Sequence, residues 1–185
     1  MNEHNPTFLE LYKIEHKVCD DLIEYYNDNV EYKSEGTIDD QKIDKTIKDS
    51  MDVNFYNGSR DKRIMKFFEV MNPCIYNYAS KYKISYNIKT SIVNNIQYYK
   101  PKGGFPHLHY ETSPQTPLRT VVYMLYLNDV TDGGGTNFPF QNITTHAVKG
   151  DLILWPADFT HPHRGVISDT QEKYICTGWF EYVTS

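Results

Sequence analysis

The feature that most constrains this chain is a series of short β-type runs in its C-terminal half, each closed by a turn signal. The runs span residues 91–100, 107–111, 119–127, 145–149, 151–156 and 173–183 and are built mainly from Val, Ile, Leu and Tyr. Between them stand Pro-Lys-Gly-Gly, Ser-Pro-Gln-Thr-Pro, Asp-Gly-Gly-Gly and Lys-Gly-Asp. Short strands at regular spacing, separated by Gly- and Pro-rich turns, predict a β-sandwich or barrel.

The texture before residue 90 is different. Val18, Leu22, Ile23 and Tyr26 form an apolar stripe at helical spacing, which predicts a helix over about residues 14–28. Ile64, Phe67, Phe68, Met71 and Ile75 predict a second helix over about residues 61–81, kinked or divided at Pro73. Residues 32–60 between them are polar and aperiodic, and read as a surface loop or a mobile lid. Helices followed by strands predict an α+β, mainly β fold with the helices packed outside the sandwich. At 185 residues the whole chain, 1–185, is expected to form one domain. Residues 1–90 would supply helical support and the lid, and residues 91–185 the β core.

Charge and cysteine content limit the function classes. A net charge of −5 leaves no basic surface for nucleic acid or an anionic membrane. No apolar run reaches the roughly 20 residues of a membrane span. The first ten residues lack the basic and apolar regions of a signal peptide. Cys19, Cys74 and Cys176 are odd in number and form no Cys-x-x-Cys pair, which argues against a disulfide framework and points to a reducing, cytoplasmic setting.

Five of the seven histidines fall between His107 and His163. His107, His109 and Glu111 alternate, so a strand there would turn all three to one face. His161 and His163 form a second pair some fifty residues on. Such clustering on two β-type runs points to a metal. No cysteine is close by, which disfavours structural zinc. Two imidazoles and one carboxylate with open positions are the facial triad of non-haem Fe(II) oxygenases, in which the remaining positions take a chelating cosubstrate and O2.

The order of motifs resembles the 2-oxoglutarate/Fe(II)-dependent dioxygenases, specifically their prolyl 4-hydroxylase-like branch. That order is His109-Tyr-Glu111, the strand ending in Tyr126-Leu-Asn128, the turn Asp132-Gly-Gly-Gly, the turn Lys149-Gly-Asp151, the His161/His163 pair, then Lys173. The resemblance covers roughly residues 92–182. It implies a double-stranded β-helix, or jelly roll, as the form of the β core. Glu111 stands where the branch more often has Asp, one methylene shorter but still an oxygen ligand.

The resemblance also implies roles. His109, rather than His107, stands two residues before the carboxylate and takes the metal with Glu111. Lys173 lies ten residues after His163, the family's spacing, and twelve after His161, so His163 is the implied distal ligand. Lys173 is the implied cation for the distal carboxylate of 2-oxoglutarate, with Tyr126, Tyr99 (or its neighbour Tyr98), Thr177 and Trp179 as further contacts. On a strand Lys173, Thr177 and Trp179 share a face. Trp155 and Phe159 are expected in the core. The implied activity is hydroxylation of a C–H bond with Fe(II), 2-oxoglutarate, O2 and stimulating ascorbate, releasing succinate and CO2. The implied substrate is a peptide or protein, with an amino acid or other small molecule left open. A different reading is a non-catalytic, cupin-like metal-binding jelly roll; retention of Lys173 beside the ligand set disfavours it.

Overall fold

The computed structural model describes residues 7–38 and 42–184. Two helices, α1 (His16–Asp28) and α2 (Lys62–Lys81), cover one face of a large antiparallel sheet. That sheet contains β1 (Glu10–Lys13), β2 (Ser34–Glu35), β3 (Met51–Tyr56), β4 (Ile88–Thr90), β5 (Val93–Tyr99), β6 (Arg119–Tyr126), β9 (Asp151–Pro156) and β11 (Lys173–Tyr182). Its order is β1-β9-β6-β11-β5-β3-β2, with β4 also paired to β11. A smaller sheet, β10-β7-β8, is formed by β7 (Thr136–Phe138), β8 (Ile143–Thr144) and β10 (Arg164–Gly165). The result is the expected mainly β jelly roll with supporting helices.

The alternation of side chains along each strand divides the core in two. Val53, Phe55, Ile96, Tyr123, Leu125, Cys176 and Phe180 face α1 and α2 and pack on Leu22, Tyr26, Ile64, Phe67 and Met71. Their neighbours Val122, Met124, Tyr126, Ile153, Trp155 and Ile175 face the other way and pack with Phe138 of the small sheet. Toward β5 and β3 this second face turns polar, carrying Gln97, Asn95, Asp52 and Asn54, and becomes the wall of a cavity.

Several expectations need correction. Residues 51–56 are a strand, not loop: Val53 and Phe55 are fully buried against the helices. The alternation is hard to see in the sequence because the opposite face of β3 is polar, where Asp52 meets Lys48 and Asn54 meets the cavity. Two further points of the stretch expected as a surface loop or lid are joined to this strand or its start. Gly36 N–H donates to Ser50 O at 2.9 Å, and Lys48 reaches Asp52 at 2.8 Å with both side chains buried. Residues 39–41 of that stretch lie outside the described residues. Four strands, β1, β2, β3 and β4, therefore lie within residues 1–90, which were expected to be helical support.

Pro73 does not divide α2. It sits on the exposed face, where the carbonyl deprived of its N–H partner is open to water. Residues 107–111 and 145–149 are not strands; each contributes a single bridge, His109 to His163 and Ala147 to Val130. Phe159 is 70% exposed rather than buried.

The Lys48–Asp52 pair makes a direct test of the anchored loop. Asp52→Asn leaves the Lys48 ammonium buried without its counter-charge and should lower stability by about 3–5 kcal/mol in urea denaturation. A loss below about 1 kcal/mol, the value of an exposed pair, would mean that the loop is open to solvent.

Candidate active site

Two chain segments meet at the mouth of the jelly roll. His109 N–H donates to His163 O at 3.0 Å, and His163 N–H donates to His109 O at 2.8 Å. This reciprocal pair sets the rings side by side, with centroids 4.4 Å apart. Each ring is then oriented by the same local device. His109 Nδ1 lies 2.8 Å from the carbonyl oxygen of His107, and His163 Nδ1 lies 3.1 Å from that of His161. A carbonyl can only accept, so each Nδ1 carries the hydrogen, and Nε2 is left as the atom each ring can offer to a metal.

Both Nε2 atoms converge on Glu111. Oε1 lies 3.5 Å from each of them, and the three donor atoms lie within 4.8 Å of one another. Three acceptors facing a common point repel unless a cation stands between them. The spacing suits donors about 2.1 Å from one ion. The donor set, two imidazoles and a carboxylate, fits Fe(II). Burial pushes the Glu111 carboxyl up; in the metal-free site the two imidazoles, when protonated at Nε2, outweigh burial through hydrogen bonding and charge and hold the carboxyl well below its ordinary range.

The other carboxylate oxygen is held from behind. Trp179 Nε1–H donates to Glu111 Oε2 at 3.0 Å, and Arg119 approaches the same oxygen at 3.5 Å. The Arg119 guanidinium also lies over the Trp179 ring, 3.5 Å from its centroid. Glu111 thus offers one oxygen to the histidines while the second is occupied, which accommodates its extra methylene. On the far side, Phe105 stacks on His109 at 3.9 Å, and Trp155 and Phe138 flank His163.

The cavity behind this triad has a volume of about 700 Å³. Lys173 is buried at its wall and only 6% exposed. Its ammonium donates to Gly134 O at 3.1 Å and lies 4.8 Å from the centroid of the Tyr99 ring. Among the described residues no carboxylate is paired with it, and burial pushes its pKa down to about 8. The Asp-Gly-Gly-Gly turn makes this contact possible. Gly134 has φ +73°, and a Cβ there would stand 2.6 Å from Val130, so only glycine brings that carbonyl to the lysine.

Other sequence candidates are placed as follows. Tyr99, Thr177 and Trp179 line the cavity, as does His107 at its exposed rim. The Tyr99 hydroxyl donates to Gln97 at 2.6 Å. Thr177 donates to Tyr123 O at 2.8 Å, and the Trp179 indole N–H donates to Glu111. Tyr126 does not reach the lining: its hydroxyl is bound by Thr136 and Thr145 at 2.9 and 2.8 Å, so Thr136 faces the cavity in its place. Sequence reading missed Arg119, Thr136 and the amide row Asn54, Asn95 and Gln97. The parity of β5, shared with Tyr99, was the available signal for Asn95 and Gln97; Arg119 has the helix-side parity of Val121 and Tyr123, and the register shift at this end of the β6–β11 pair turns it to the cavity.

Comparison with known proteins agrees with this geometry. The sequence model of the 2OG-Fe(II) oxygenase superfamily matches residues 94–181. Human prolyl 4-hydroxylase subunit alpha-3 is 27% identical over 88 residues, which is 40% of this chain and 16% of that subunit. This chain therefore matches only a small part of the length of its curated relatives. Among solved structures, a prolyl hydroxylase from Trichoplax adhaerens, in complex with a hypoxia inducible factor oxygen degradation domain peptide fragment, superposes with a TM-score of 0.79. It is 15% identical, and the match covers 98% of this chain and 86% of that one. A prolyl-4-hydroxylase from Pseudomonas putida gives 0.73 at 16% identity, covering 95% and 93%. The stretch matched by the 2OG-Fe(II) oxygenase superfamily model, a little under half of the chain, carries the triad and Lys173, and that family implies Fe(II), 2-oxoglutarate and O2 as cofactors. The relatives and solved structures that this chain resembles include prolyl 4-hydroxylases and a prolyl hydroxylase.

The triad can be tested with metal alone. His109→Ala, Glu111→Ala and His163→Ala should each abolish tight Mn(II) binding by calorimetry, whereas His107→Ala should retain it. Trp179→Phe removes the donor to Glu111 Oε2 and should weaken binding about tenfold. Undiminished binding in any of the three alanine variants would remove that residue from the ligand set.

Proposed function

We propose that this protein hydroxylates a prolyl residue within a peptide, using Fe(II), 2-oxoglutarate and O2. The observation that carries the reading is the pairing, in one cavity, of a His-Glu-His triad with a buried lysine that has no acidic partner among the described residues. Bound Fe(II) and 2-oxoglutarate supply an oxidant that inserts one oxygen atom of O2 into a C–H bond as the cosubstrate becomes succinate and CO2.

In this reading the chain's own residues do four things. His109, Glu111 and His163 hold the metal from one side and leave the cavity side open. Lys173 neutralises the distal carboxylate of 2-oxoglutarate, and its low-dielectric surroundings strengthen that pairing. Trp179 and Arg119 keep Glu111 oriented. Trp155, Phe138, Met124 and Ile175 keep water away from the reacting centre. A non-catalytic binding module has no need of a second, cationic subsite beside the metal.

The charges of the cavity favour a peptide over a free amino acid. Lys48 is paired with Asp52, Glu35 with Lys45, and Arg119 with Glu111. Lys173 is assigned to the cosubstrate. An amino acid would bring an ammonium and a carboxylate, each needing a partner at considerable desolvation cost. An internal peptide residue brings only amides, and Asn54, Asn95 and Gln97 on the wall can both donate to and accept from these. The Trichoplax relative was solved with a peptide, which supports the same choice. Ascorbate should sustain turnover as reductant. The three cysteines are buried and free, and among the described residues no helix is long and apolar enough to cross a membrane. We place the protein in the cytoplasm on the cysteines.

The deciding assay is succinate release in the presence of Fe(II), O2 and ascorbate. Proline-containing peptides should stimulate it and gain one oxygen atom by mass, and free proline should not; the reverse pattern would replace the peptide with an amino acid. The lysine also sets a pH dependence. The carboxylate binds the protonated form, and the free protein loses that proton above about pH 8. Affinity for 2-oxoglutarate should thus be flat at neutral pH and fall by up to about tenfold per unit above pH 8. Lys173→Arg, always ionised, should abolish that fall. A pH-independent affinity in the native protein would separate Lys173 from the cosubstrate.

A further inference from the structure

His161 is a buried histidine that the reading above leaves without a task. It lies two residues before His163 and is only 3% exposed. Four restraints act on it. Its N–H donates to Asp158 O at 3.0 Å. Its Nδ1 lies 2.8 Å from the Thr160 hydroxyl, which in turn bonds Asp158. Its Nε2 lies 2.8 Å from the carbonyl oxygen of Thr7, at the other end of the chain. Pro162 follows, restricting the His161 backbone to extended conformations. What all four restraints fix is the direction of the His161 carbonyl, the group that accepts from His163 Nδ1.

The segment that receives the His161 ring is itself held with care. Phe8 adopts φ +57°, a left-handed conformation that a bulky residue rarely takes. Tyr78, buried in α2, donates its hydroxyl to Phe8 O at 2.9 Å. The Phe8 ring packs 4.9 Å from Tyr82 and meets the His161 ring edge-on at 6.2 Å. Leu9 packs against the core between the sheets, and β1 continues along the edge of β9. A conformation this unfavourable persists only where its surroundings over-determine it. Here those surroundings join α2, the N-terminal segment and the loop bearing the distal histidine.

The other ligand contrasts with this. His109 uses the carbonyl of His107 in the same way, but His107 is exposed at the cavity rim. His109 is steadied instead by stacking on Phe105. Of the two imidazoles, only the distal one has its backbone acceptor tied into the body of the fold.

We infer that His161 is a positioning residue for the distal metal ligand, and that the Thr7–Phe8 backbone is the anchor it works against. The inference rests on His163 being a ligand. Its chain of action runs from Tyr78 and Phe8, through the Thr7 carbonyl and the His161 ring, to the His161 carbonyl and the His163 ring. Residues acting on a ligand's second nitrogen typically change metal affinity 10–100-fold.

The test is anaerobic titration of the full-length protein with Co(II) alone, read by visible absorption, beside the melting temperature of each metal-free variant. His161→Leu keeps the bulk but removes both ring nitrogens and should weaken Co(II) at least about tenfold. His161→Gln retains an N–H donor for Thr7 O and should recover to within about threefold of the native protein. Phe8→Ala should shift affinity in the same direction as His161→Leu, by less. Ile64→Val, in the helix-side core, controls for stability: it should lower the melting temperature and leave Co(II) affinity unchanged. Native-like Co(II) affinity in His161→Leu overturns the inference, as does a His161→Gln variant no better than Phe8→Ala if the leucine variant does not fold. His163→Ala separates the two levels. Lost Co(II) binding there, with His161→Leu unaffected, refutes the positioning role alone. Undiminished binding in His163→Ala refutes the ligand assignment beneath it.

Discussion

A lysine ammonium buried without a carboxylate partner is the most demanding group in this fold. Among the described residues Lys173 is paired with no carboxylate; the Gly134 carbonyl and the face of Tyr99 lie beside it, and burial weakens its hold on the proton. Such a charge is costly to maintain unless a ligand answers it. Much of the architecture can be read as meeting that demand. β11 lies between β5 and β6 at the centre of the large sheet, so the lysine sits where the sheet is least able to move. The turn after β6 uses glycine to bring a carbonyl to it. The same strand, two and three alternations later, carries Thr177 and Trp179, and Trp179 reaches the carboxylate of the triad. One strand therefore links the cation subsite to the metal subsite at fixed spacing.

The triad depends on a second economy. His109 and His163 come from segments that form no ladder with each other beyond one bridge, yet two reciprocal backbone hydrogen bonds fix their separation. Backbone carbonyls then choose which ring nitrogen carries the hydrogen. Rigid sheets supply the frame, and the ligands stand on short irregular segments at its mouth, where side chains can converge in ways that strand alternation does not allow.

Much of this was legible in the sequence, and unevenly so. The two helices declare themselves through apolar stripes, and strands β5, β6, β9 and β11 through β-branched and aromatic runs bounded by turn signals. The ligands His109 and Glu111 were found through an alternation that assumed a strand. The structure brings both together with His163, although the segment is irregular and only His109 bridges. Strand β3 was hidden because its cavity face carries Asp52 and Asn54, the cost of placing a polar site on a sheet. Tyr126 was expected at the cosubstrate since it shares the inward face of β6; the depth at which Thr136 and Thr145 intercept its hydroxyl is a tertiary fact with no local signature. The tie between Thr7 and His161 spans almost the whole chain and leaves no periodic trace in the sequence.

The central claim is that the buried lysine and the triad form one site for an iron-chelating dicarboxylate. It is tested most directly by anaerobic titration of 2-oxoglutarate into the Fe(II)-loaded protein, following the metal-to-ligand charge-transfer absorption of the chelate. In the native protein the band should develop and saturate. In Lys173→Ala the unpaired carboxylate should cost about 2–5 kcal/mol, so half-saturation should need roughly thirtyfold more cosubstrate or beyond. Fe(II) affinity should be unchanged, and Lys149→Ala, which loses only a surface pair with Asp20, should titrate as the native protein does. A band that saturates at the same 2-oxoglutarate concentration in Lys173→Ala as in the native protein, or no band in the native protein at all, would contradict the account.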